Sequence, residues 1–123
     1  MKSTKLILLS LLFLFTQFAN AQVAELSKVE KYIKKKLPNA TVKKLKTTDH
    51  FKEVYEIKFK QYLDHKNKSA GTFEHRIFLS HVGKKKPMVF VTEGYAARQR
   101  TYELSKILNS NQLIVEYRFN GAS

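Results

Sequence analysis

The residues of this chain that could do chemistry are few, and their spacing excludes most of it. Two of the four histidines, His75 and His81, fall on one face of an alternating segment. Six residues at about 3.3 Å each separate them by roughly 20 Å, too far to share a metal ion. His50 beside Asp49 and His65 beside Asp64 sit in polar turns, where turn chemistry accounts for them as well as catalysis does. No G-x-S-x-G elbow is present, and Ser123 in Gly121-Ala122-Ser123 is the nearest approach to one. A complete Ser-His-Asp set is not drawn from these residues, so no catalytic residue, metal ligand or cofactor site is assigned. One segment stands out, Thr92-Glu93-Gly94-Tyr95, placed between an apolar strand and an expected helix. A glycine there lets the backbone turn tightly and aims N–H groups outward, as a donor of an oxyanion hole requires; an ordinary strand-to-helix turn uses the same residues.

The elements that must position that segment follow from periodicity. Val23, Leu26, Val29, Ile33 and Leu37 recur at spacings of three and four, which predicts a helix ended by Pro38-Asn39. A strand at 41–48 is expected next, with Asp49-His50 as its turn. Over 53–62, Tyr55, Ile57 and Phe59 alternate with Glu56, Lys58 and Lys60, a half-buried strand. Residues 64–71 read as a loop, and 72–82 alternates again with Phe73, Ile77 and Leu79 on one face, so the pair forms a long antiparallel hairpin. Met88-Val89-Phe90-Val91 is a continuous apolar run, expected to be a strand covered on both faces. A helix at 98–109, with Tyr102, Leu104, Ile107 and Leu108 inward, and a strand at 113–119 complete a βαβ unit, which makes its two strands parallel.

Composition bounds the setting. Lys2 and Lys5, the apolar run from Leu6 and the Ala19-Asn20-Ala21 site make residues 1–21 a secretory signal peptide, which places the product outside the cytoplasm, secreted or periplasmic, as one domain over 22–123. The apolar run closes too early for a membrane anchor, and the absence of cysteine excludes a disulfide scaffold. The formal charge is +13, of which two lysines belong to the leader, leaving +11. Lysine runs at 34–36, 43–44 and 84–86 carry much of it, and with so little arginine they read as solvated faces rather than a nucleic-acid surface.

Five stretches together carry a resemblance: Gln61-Tyr62-Leu63-Asp64-His65-Lys66-Asn67; Gly71-Thr72-Phe73-Glu74-His75-Arg76; Leu79-Ser80-His81-Val82; Val91-Thr92-Glu93-Gly94-Tyr95; and Val115-Glu116-Tyr117-Arg118-Phe119-Asn120-Gly121-Ala122-Ser123. In order and combination they resemble the opening of the secreted tripeptidyl aminopeptidase family of serine peptidases and, more distantly, the prolyl carboxypeptidase-like enzymes. Tyr62 stands where that pattern has proline, Asn120 where it has an aromatic residue, and Ala96-Ala97-Arg98 shortens the link after the glycine turn. The resemblance implies an α/β fold, part of an α/β-hydrolase-type sheet truncated before the nucleophile elbow, and a serine exopeptidase acting on free peptide N-termini, inactive in this portion alone. It implies Gly94 and Tyr95 as the oxyanion loop, Glu93 as a contact for the substrate amine, and a peptide as substrate. It also implies a strand order that leaves Met88, Val89, Phe90, Val91 and Thr92 on an open edge, available to the rest of the fold or to self-association. Two other readings stay open: a secreted helix-hairpin module that binds or inhibits peptidases, suggested by 26–60, and a basic surface-binding protein, suggested by the charge.

Overall fold

The computed structural model describes residues 25–47 and 50–123, so the expected leader and Asp49 lie outside the described residues. Helix α1, Lys28–Lys36, begins where the Ser27 hydroxyl accepts the Glu30 N–H at 3.1 Å, a cap set by the Ser-x-x-Glu spacing. Glu30 and Lys34 pair along it at 3.1 Å, and Pro38 follows its end. The helix is shorter at its start than periodicity suggested, because Ser27 caps it.

Five strands form one mixed sheet in the order β1-β2-β3-β5-β4. They are β1 Thr41–Leu45, β2 Glu53–Tyr62, β3 Thr72–His81, β4 Met88–Glu93 and β5 Asn111–Glu116. The β2–β3 hairpin pairs antiparallel without a break from Glu53↔His81 to Tyr62↔Thr72, as alternation predicted. Strand β5 inserts between β3, antiparallel, and β4, parallel.

Alternation along the strands builds two cores. On one face α1 sets Ile33 against Tyr55 and Ile57, with Val29, Leu37, Phe59, Ile77 and Leu79 around them. The buried Tyr55 hydroxyl donates to Glu53 at 3.0 Å and lies 2.8 Å from the Ser27 hydroxyl, so the helix cap and the sheet share one network. On the other face Phe78, Ala97 and Ile114 pack with Leu45, Val91 and Tyr102. Each such side chain, fully buried, is worth about 1.5–3 kcal/mol.

Three expectations are corrected. Helix α2 covers only Glu103–Ile107, because the buried Gln112 side chain takes the backbone of the preceding residues for itself: it accepts the Tyr102 N–H at 2.9 Å and donates to the Arg100 carbonyl at 2.7 Å. The inward residue of α2 is Ser105, bound to Gln112 at 2.9 Å, while Leu104, Ile107 and Leu108 are exposed. Strand β5 starts at Asn111 and stops at Glu116, before the chain turns through Phe119 at φ 64°. Strand β4 is not covered on both faces: Val89 and Val91 are partly buried, but Met88 and Phe90 are 48% and 60% exposed.

Candidate active-site loops

In a parallel pair both strands run out at the same end, and in open α/β sheets ligands bind outside the carboxyl ends of the strands. Here that end is formed by β4 and β5, whose last register pair is Glu93↔Glu116. Two carboxylates side by side on one face repel, and each is neutralised by its own arginine.

Glu116 is the buried one. Its side chain is fully enclosed and accepts five hydrogen bonds: from Arg76 Nη2 at 2.5 Å and Nε at 3.1 Å, from the Ala97 N–H at 2.8 Å, from the Ala122 N–H at 3.1 Å and from the Ser123 hydroxyl at 2.8 Å. Arg76 also donates to the Ala97 carbonyl at 2.9 Å, and Glu56 lies 3.7 Å from its second amino group. Burial is the largest influence on the Glu116 carboxyl and works to raise its pKa. The hydrogen bonds from Arg76, Ser123 and the Ala97 N–H, with the arginine's charge, outweigh it and hold the group below its ordinary value. The network ties the loop after β4 to the loop after β5. Gly121 closes it at φ 58°, in a cradle where a Cβ would meet Glu116 Oε1 at 2.2 Å.

Glu93 is the outer carboxylate. It accepts from the Tyr102 hydroxyl and the Arg100 guanidinium, and those two hydrogen bonds, Tyr102's first, lower its pKa. Arg100 lies over the Tyr102 ring at 4.7 Å. The Glu93 carbonyl accepts the Tyr117 N–H at 2.9 Å, continuing the ladder beyond β5.

The glycine turn is placed differently from expectation. No helix follows Gly94 until Glu103, so its N–H does not sit at a helix entrance. A Cβ there would lie 3.3 Å from the half-exposed Tyr117 ring, a close approach rather than a helix entrance. Tyr95 is 88% exposed. Glu93, Gly94 and Tyr95 are thus brought to the carboxyl end of the parallel pair, and the Glu93 carboxylate is already partnered.

Of the groups set aside from sequence, His75 and most of the described serines are engaged in the structure. His75 is buried, its Nε2 2.7 Å from the Glu116 carbonyl; a carbonyl only accepts, so Nε2 carries the proton. Of the described serines, the hydroxyls of 27, 69, 105, 110 and 123 bond Tyr55, Asn67, Gln112, the Ser105 carbonyl and Glu116, and Ser80 is sealed in the sheet. Among the described residues no three His, Cys, Asp or Glu side chains gather as a metal site, and no helix is long and apolar enough to cross a membrane.

The Arg76–Glu116 pair, Gly121 and Gln112 were not singled out from sequence. The signal was present: Arg76 and Glu116 each fall two positions from a residue of the second core, Phe78 and Ile114, and Glu56 two from the buried Val54, so all three lie on that face of the sheet.

Comparison with known proteins bears on the same residues. Over 63 residues the chain is 40% identical to the prolyl tri/tetrapeptidyl aminopeptidase of Streptomyces mobaraensis, a match covering 50% of this chain and 13% of that enzyme, so the chain spans a small part of its curated relative's length. No solved structure matches it. The family model described as PS-10 peptidase S37 matches residues 32–123, from the middle of α1 through Ser123. Every strand and both loops at the carboxyl end of the parallel pair lie within that match, and the chain belongs to the PS-10 peptidase S37 family.

Proposed function

We propose that this chain forms the amino-terminal portion of the sheet of an exported serine exopeptidase that removes short peptides from free N-termini, and that it has no turnover by itself. The family match over 32–123 carries the reading. The geometry supports it: an antiparallel hairpin feeds a parallel pair, with β5 between β3 and β4, the order expected at the start of an α/β-hydrolase sheet. In this reading the nucleophile, its histidine and its acid come from outside these residues, and the loop at Glu93, Gly94 and Tyr95 borders the substrate. The edge of β4 takes the next strand of the sheet, and in the isolated chain a second copy through 88–92. Unpaired N–H and C=O groups beside the exposed Met88 and Phe90 favour such addition.

A chimera tests this. The aligned segment of the Streptomyces mobaraensis enzyme is replaced by the corresponding residues of this chain, and release of N-terminal tripeptides is measured beside labelling by a fluorophosphonate. Retained turnover is expected from the chimera, and neither turnover nor labelling from this chain alone. A folded chimera without activity, or stoichiometric serine labelling of this chain, refutes the reading.

A further inference from the structure

At the same end of the sheet as those loops but on the side of α1 and β1, and at the opposite end of the β2–β3 hairpin from the 83–86 turn, a cleft of about 410 Å³ opens between the end of α1 and the end of β2. Its shape follows from a mismatch of strand lengths. Strand β1 starts at Thr41, opposite Lys58, whereas β2 runs on to Tyr62. Residues 59–62 therefore project past β1, and among the described residues no strand borders them on that side. In an antiparallel ladder alternate residues aim their N–H and C=O groups to either side, so half of this overhang points its backbone into the cleft. The far wall is the Leu37-Pro38-Asn39 turn.

The side chains around it have one sign. Lys36 and Lys60 line it, no carboxylate does, and neither lysine is in an ion pair among the described residues. Glu74, opposite Lys60 in register, is held by Lys58 at 3.5 Å. Lys68 adds a third ammonium at the mouth, 5.4 Å from the centre of the Tyr62 ring. Phe59, Tyr62 and Leu37 supply apolar surface between the charges. Free strand edge, apolar floor and unpaired lysines match the requirements of strand addition, in which main-chain hydrogen bonds give affinity and alternate side chains give specificity.

We propose that this cleft binds an extended acidic peptide segment as an added strand along residues 59–62, with its alternate side chains split between the two faces: carboxylates beside Lys60 and within the field of Lys36, and apolar side chains against Phe59 and Leu37. The loop after β5 borders one end of the cleft, where Arg118 donates to the Leu63 carbonyl at 2.6 Å and lies 3.4 Å from that of Tyr62, but the proposal uses none of Glu93, Gly94, Tyr95 and Glu116 and so does not rest on the peptidase reading.

A decapeptide alternating glutamate and valine is titrated into the full exported chain and followed by fluorescence anisotropy and amide chemical shifts. Shifts are expected at 36–40 and 59–62. The double variant Lys36→Glu/Lys60→Glu should bind about tenfold more weakly or worse, as expected for two charge-assisted contacts. Lys84→Glu/Lys85→Glu makes the same charge change about 30 Å away along β3 and should cost less than about threefold. N-methylation of every second peptide amide should abolish binding in one phase and spare it in the other. Equal losses in the two double variants, indifference to both N-methylated phases, or no binding at millimolar peptide overturns the proposal. Both variants alter exposed lysines, and circular dichroism confirms that each is folded.

Discussion

Replacing Glu116 by glutamine changes one atom and tests the whole clamp at the carboxyl end of β4 and β5. Oε1 accepts from Arg76 Nη2 and the Ala97 N–H; Oε2 accepts from Arg76 Nε, the Ala122 N–H and the Ser123 hydroxyl. Whichever way the new amide turns, its NH₂ meets at least two donors that have lost their acceptor, and Arg76 is left with only Glu56 at 3.7 Å as a counter-charge. Breaking a buried ion pair from one side costs about 3–5 kcal/mol, a large share of the 5–15 kcal/mol available to a typical domain. With a urea slope of about 1–3 kcal/mol/M, the unfolding midpoint of Glu116→Gln should fall by roughly 2 M. The pH dependence supplies the sign. The folded-state pKa lies below the ordinary 4.5, so the contribution is full above the unfolded value and is lost as pH falls through the lowered one. Wild type should therefore lose stability on acidification below 4.5, and the variant should lack that share of the acid loss. An unfolding free energy within about 1 kcal/mol of wild type, or an unchanged acid limb, refutes the account of this clamp.

Gly121→Ala combines a positive φ with a Cβ 2.2 Å from Glu116 Oε1, and thermal unfolding should show more than about 1 kcal/mol lost. Gln112→Ala strips partners from the Tyr102 N–H, the Ser105 hydroxyl and the Arg100 carbonyl; it should cost about 1–3 kcal/mol by denaturation and speed amide exchange at Tyr102 ahead of the hairpin. Phe90→Lys charges the exposed face of β4 and should raise the monomer fraction in sedimentation, with added salt favouring association of the wild type past Lys84, Lys85 and Lys86. A wild-type chain that is monomeric at all salt concentrations would refute the open-edge account.

The hairpin and α1 were legible because one force decides each of them. Tyr55, Ile57 and Phe59 alternate without exception, and Val29, Ile33 and Leu37 leave one helical stripe, so burial fixes face and register together. The region from 98 to 109 was not legible, since two forces compete there. Its apolar spacing favours a helix, but a buried glutamine needs partners more than Leu104 or Ile107 needs cover, and its amide takes the backbone at 100–102. Asn111 acts alike one residue earlier, holding Val82, Gly83 and Lys86 of the basic turn through both ends of its side chain. No local pattern announces such pins, because their partners are backbone groups far along the chain. The apolar run of β4 was read as doubly buried on composition; among the described residues only the face bearing Val89 and Val91 finds a neighbour. Glu93 was visible as a residue, but its partner Arg100 lies seven residues on in an irregular loop, where spacing carries no information.

The two glutamates that end the parallel strands explain how exposed aromatic groups coexist with an ordered site. Tyr95, Tyr117 and Phe119 are 88%, 49% and 66% exposed, so apolar burial of these rings does little to hold the loops that carry them. Fixing those loops falls instead to charge and backbone hydrogen bonds. Arg76 reaches Glu116 from β3 and also holds the Ala97 carbonyl, while Glu116 accepts the Ala97 and Ala122 N–H groups from the two loops; Arg100 reaches Glu93 from the loop itself. Arg76 and Glu116 are neighbours across β3 and β5, so strand pairing itself neutralises that carboxylate, whereas Glu93 meets Arg100 only when the loop after β4 is folded back. Anchoring is done by Glu116 and Gly121, while Phe119 rests on Phe73 with Arg118 over its ring, Tyr117 meets Thr92, and Tyr95 stands exposed. The ends of both loops, Ala97 in one and Ala122 and Ser123 in the other, are thus ordered by hydrogen bonds to one buried carboxylate, which does for them what ring burial does not.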